Sequence, residues 1–81
     1  MTKITNIDSS AVNDIVVYDT TGIVGITWNS GKEYSYTLNG ITAQDFVNTV
    51  NNVIENDQSV GRFVNKAIRE DQTLQIMAVW S

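Results

Sequence analysis

Arg62, Lys66 and Arg69 stand at i, i+4 and i+7, so on a helix they form a single stripe. They are three of the five basic residues in the chain. Cations gathered along one helical face are the usual footprint of phosphate binding. The plainer alternative is a solvated face partly neutralised by Glu70 and Asp71. Just upstream, Ser59-Val60-Gly61 opens the same helix. A helix start exposes free backbone amides, which makes Gly61 and its neighbour Arg62 a candidate anion site. Alternatively, Ser59 is simply a cap and Gly61 admits close approach of another element. Tyr34 and Tyr36 add aromatic surface to one face of a strand. They would serve as a stacking platform for bases, or else fill the core with their hydroxyls reaching its edge.

Catalytic chemistry has little to work with. The chain has no histidine and no cysteine, and its nine carboxylates form no convincing pair. Asp57, Glu70 and Asp71 flank helix ends, while Asp14, Asp19 and Glu33 flank strands or face water. Without a general base that titrates near neutrality, and with no serine in a recognisable nucleophile setting, an enzyme is not expected. No cofactor and no metal site are expected either.

The elements that must position these side chains can be read from local signals. Ile15-Val16-Val17-Tyr18 is a β-branched and aromatic run closed by Asp19-Thr20-Thr21-Gly22. Ile23 to Trp28 follows, closed by Asn29-Ser30-Gly31, and then Lys32 to Leu38, ended by Asn39-Gly40. Short turns between successive strands require antiparallel hairpins, so this is a three-stranded meander. Alternation places Val24, Ile26, Trp28, Tyr34, Tyr36 and Leu38 on one bulky face, the expected core. Thr42-Ala43-Gln44-Asp45 resembles a capping box, and Ala43, Phe46, Val47, Val50 and Ile54 form the apolar stripe of a helix that fails near Glu55-Asn56-Asp57. Ser59 starts a second helix with the stripe Val60, Phe63, Val64, Ala67 and Ile68, ended by Asp71-Gln72. Its basic stripe lies nearly opposite, at about 100° per residue.

The two ends of the chain are less regular. Residues 1–10 are mostly polar and read as loosely held. Residues 72–81 read as an extra C-terminal strand or tail, in which Leu74, Ile76, Ala78 and Trp80 face the core, with a preferred place beside the Ile15–Tyr18 strand. The expectation is one α+β domain: an antiparallel three- to four-stranded sheet with two helices packed on one face. Met77 and Val79 then fall on the outer sheet face, where an apolar patch would favour self-association as a homodimer.

Eighty-one residues with a formal charge of −4 place the chain near the lower size limit for an unaided core. The acidic balance counts against long-range attraction to polyanions but not against a local basic patch. No apolar run approaches the roughly 18 to 20 residues that span a bilayer, and Met1-Thr2-Lys3-Ile4-Thr5 is too polar for a signal peptide. A cytoplasmic location without membrane association is the expectation.

Three blocks carry a family resemblance. Tyr18-Asp19 before a turn, Val24-Gly25-Ile26-Thr27-Trp28-Asn29-Ser30-Gly31 followed by Tyr34-Ser35-Tyr36, and Ser59 to Arg69 occur in this order. The last block reads Ser-Val-Gly-Arg-Phe-Val-Asn-Lys-Ala-Ile-Arg. Together they resemble the KTSC domain, a short module named from the C-terminus of some lysine-tRNA synthetases. It also occurs as a free-standing small protein in bacteria and their viruses. The chain departs from that pattern at Leu38-Asn39-Gly40-Ile41, where the family usually has a Val-Pro step, and in its Trp80-ended tail. The resemblance suggests RNA binding and, taken with the residues, the expectation is a non-enzymatic module that binds nucleic acid or a nucleotide through the basic helix face. The alternative is a protein-interaction module, such as a phage protein that modulates a host factor.

Overall fold

The computed structural model describes residues 1–5, 7, 9 and 11–77. Five strands and two helices follow one another as β1 (Thr2–Ile4), β2 (Val12–Tyr18), β3 (Ile23–Trp28), β4 (Glu33–Leu38), α1 (Ala43–Glu55), α2 (Val60–Arg69) and β5 (Leu74–Ile76). The sheet is antiparallel throughout, with its strands side by side in chain order. The α+β class and the two helices are as expected, and the sheet is one strand wider than expected.

The central meander closes through tight turns. Gly22 (φ 69°) returns its N–H to the Tyr18 carbonyl at 2.9 Å, and Gly31 (φ 92°) does the same to Trp28 at 2.9 Å. Both need a backbone conformation that a side chain disfavours. A bulge between Val12 and Asp14 resets the alternation of β2. Val12, Ile15 and Val17 consequently all point inward, and Val16 and Tyr18 point outward. Their inward neighbours on β3 are Val24 and Ile26, in register with Val17 and Ile15. Phe46, Val47, Val50 and Val53 of α1 and Val60, Val64 and Ala67 of α2 close the core from above.

Both helices begin at the expected caps. The Asp45 amide donates to Thr42 Oγ1 at 3.1 Å, and the Arg62 amide donates to Ser59 Oγ at 3.2 Å.

Three expectations fail. Residues 1–10 are not all loosely held, because Thr2–Ile4 pairs with β2 and buries Ile4 opposite Ile15. The C-terminal strand does not lie beside the Ile15–Tyr18 strand. That edge is taken by β1, and β5 pairs with β4 instead. Asn39 secures this placement, its amide donating to Thr73 O at 2.9 Å and its Nδ2 to Gln72 O at 3.4 Å.

The bulky face, finally, is not core along its whole length. Tyr36 is buried, but Tyr34 is 36% exposed and Ile76 61% exposed, because the cover given by the helices ends before them. Trp28, Leu38, Phe63 and Ile68 are partly buried at the rim. Ala78, Val79 and Trp80 lie outside the described residues. Among the described residues, no helix is long and apolar enough to cross a membrane.

Candidate functional site at the exposed face of α2

The basic stripe sits where helical periodicity puts it. Arg62, Lys66 and Arg69 are all exposed, while Val60, Val64 and Ala67 are buried beneath them. Among the described residues, no carboxylate lies within ion-pairing distance of any of the three. Glu70 and Asp71, the expected neutralising partners, are therefore not paired with the stripe.

Two shallow recesses flank this stripe and share Arg62 and Lys66. One, of about 530 Å³, runs between the end of α1 and the start of α2, with Val53 and Phe63 as its apolar floor and Asp57, Gln58 and Ser59 at its end. The other, of about 440 Å³, lies on the far side, where Asn65, Arg69 and Glu70 join the shared pair. Phe63 follows Arg62 by about 100° around the helix. Its ring is therefore partly covered, 6.0 Å from the ring of Phe46, and partly presented to the groove.

Arg62 stands out energetically. It is the third residue of α2, in a first turn that carries no acid. The positive end of the helix dipole disfavours a cation there, and a Ser-x-x-Glu capping box would place an acid at this position. Lys66 and Arg69 occupy the last turn, where cations support the helix. Their position therefore has a stabilising reason that Arg62 lacks.

Gly61 plays a different part. It is buried, and a Cβ there would come within 3.1 Å of Ala11 Cβ and 3.4 Å of Ser9 Oγ. It marks close packing of α2 on the segment that precedes β2, and it lines neither recess. Ser9 is itself anchored, since its Oγ accepts from the Ala11 and Val12 amides and Asn29 Nδ2 donates to Ser9 O at 2.9 Å.

The two tyrosines part company. Tyr36 belongs to the core, where burial raises its phenol above the ordinary value, with Trp28 opposing and Tyr34 adding to the shift. Tyr34 is exposed on the sheet, and neither tyrosine lines the recesses beside the stripe. Met77, proposed for self-association, is partly buried, and its amide donates to Ser35 O at 3.0 Å. Val79 lies outside the described residues. The outer face carries Gly25, Thr27, Glu33, Ser35 and Thr37 by register, with Val16, Tyr18 and Ile23 as its apolar and aromatic members.

The stripe is legible in the sequence, whereas the groove beside it is not. Val53, Asp57 and Gln58 belong to α1 and its exit, and only the packing of two helices brings them to Arg62 and Lys66. Searches against family models, curated proteins and solved structures found no match. The resemblance to the KTSC pattern accordingly rests on the three sequence blocks alone.

Proposed function

We propose that this chain is a non-enzymatic binding module that holds phosphate-bearing ligands, single-stranded RNA or nucleotides, on the exposed face of α2. The observation that carries this reading is Arg62, an exposed cation without a carboxylate partner among the described residues, at a helix position that favours an acid. Lys66 and Arg69 extend the charge over about 10 Å, seven residues at 1.5 Å rise. An apolar floor beside the charges suits a base, since nucleic-acid modules combine a cationic track with aromatic faces. The resemblance to the KTSC pattern supports the same ligand class.

The test is equilibrium titration of a labelled single-stranded RNA with the wild type and with the Arg62→Glu, Lys66→Glu double variant. Loss of binding with an unchanged circular dichroism spectrum is the expected result. Binding that survives the double reversal removes the stripe as the site.

A second reading, protein interaction, is favoured by Ile76 and Tyr34, large side chains exposed beside the edge strand β5. It expects partner capture from a host lysate that is indifferent to nuclease treatment, or a dimer in sedimentation that Ile76→Lys abolishes.

A further inference from the structure

The groove between the helices ends in an unusual turn. Gln58 N–H donates to Val53 O at 2.9 Å and Asp57 N–H to Ile54 O at 3.1 Å. This pair of bonds closes a helix whose next residue must be left-handed, a place usually held by glycine or asparagine. Here that residue is Asp57, with φ 55°. Asp57 is one of the residues that line the groove. Among the described residues the carboxylate has neither an ion-pair partner nor a hydrogen-bond donor. The turn thus places an exposed aspartate, without a partner among the described residues, at one end of a groove whose other charges are positive.

A ligand that satisfies the whole groove needs three features. It needs an anionic group for Arg62 and Lys66, a flat apolar face for Phe63 and Val53, and a donor edge for Asp57. A nucleotide supplies the first two, and the base decides the third. Guanine presents two adjacent donors, N1–H and the N2 amino group, matched to the two oxygens of a carboxylate. Adenine and cytosine offer an amino group beside a ring acceptor that repels the second oxygen. Uracil offers one imide N–H between two carbonyls. The volume of about 530 Å³ is within the roughly 300–1,000 Å³ of small-ligand sites.

We propose that this groove is a base-reading site for guanine in single-stranded RNA, with Asp57 accepting from the purine edge while Arg62 and Lys66 hold the adjoining phosphates. The proposal rests on the phosphate reading above and adds base identity to it.

Fluorescence anisotropy at low ionic strength tests it, using labelled pentauridylate and the same oligomer with a central guanosine. Wild type should prefer the guanosine oligomer by on the order of tenfold, the worth of one bidentate base contact. Asp57→Gly relieves the left-handed backbone and Asp57→Asn tolerates it, so both variants should fold. Both should bind pentauridylate at least as tightly as wild type and lose the preference. Equal wild-type affinity for the two oligomers overturns the guanine assignment and leaves the phosphate reading standing. Retention of the preference in both Asp57 variants overturns the role of Asp57. Binding of neither oligomer overturns both readings. An acidic helical peptide that occupies the groove while guanosine confers no advantage makes it a protein site, which also overturns the assignment.

Discussion

Tyr36 and Tyr34 are two residues apart on one strand face, yet they answer to different physics. Tyr36 is 5% exposed and packs with Val24 and Ile26 in the core, whereas Tyr34 lies past the helices. Tyr36→Ala should cost about 3–5 kcal/mol, as truncation of a buried aromatic does. Tyr34→Ala should stay within about 0.5 kcal/mol, as surface changes do. Chemical denaturation of the two variants checks the contrast, and equal losses would contradict it. Alternation alone put both rings on the core face, because it reports which side of a sheet a residue takes and not how far the opposing layer extends. The pH response of Tyr36 follows from its burial. A phenol whose pKa is raised in the folded state holds its proton more tightly there than in the unfolded chain. Its contribution is complete below the unfolded value of about 10 and is lost as pH rises through the folded value. Melting temperature should therefore fall above about pH 10, and less steeply in Tyr36→Phe than in wild type. Parallel profiles would contradict the assignment.

Helix α2 serves stability and binding with opposite demands at Arg62. Arg62→Glu completes the capping box that Ser59 begins and complements the dipole. It should therefore stabilise the fold by a few tenths to about 1 kcal/mol while weakening phosphate binding. A thermal melt beside a binding titration reads both effects, and an arginine that is needed for stability would give the reverse of the first. On the buried side, Gly61→Val should destabilise by about 1–3 kcal/mol, because its side chain enters the space of Ala11 and the anchored Ser9. Denaturant midpoints measure this, and an unchanged midpoint would show that the preceding segment yields freely. The hairpins, both caps and both helical stripes were legible because turn residues and apolar periods are local signals. Strand β1 was not legible, since its three residues bury only Ile4 and pairing with Ile15 decides their state. The partner of β5 was equally hidden. Its choice depends on which sheet edge β1 leaves open, a fact that no short window of sequence contains. The site divides in the same way: the basic stripe is a period along one helix, while the groove is a product of two.

For the molecule as a whole, the charge balance makes the claim testable. The chain is acidic, with nine carboxylates against five cations, and three of those cations share one helix face. Apart from the stripe, only Lys3 and Lys32 offset the acids, so non-specific attraction to a polyanion is weak everywhere else. Binding, where it occurs, should be weak, local and governed by release of counterions from the few phosphates that Arg62, Lys66 and Arg69 contact. For a single strand each neutralised phosphate contributes about −0.7 to the slope of log K against log salt, so three cations give about −2. The most direct measurement is the affinity of wild type for a single-stranded RNA across a salt series. A slope of about −2, reduced toward roughly −1.4 by Lys66→Gln, is the expected result. An affinity indifferent to salt, or a slope that Lys66→Gln leaves unchanged, would contradict the account.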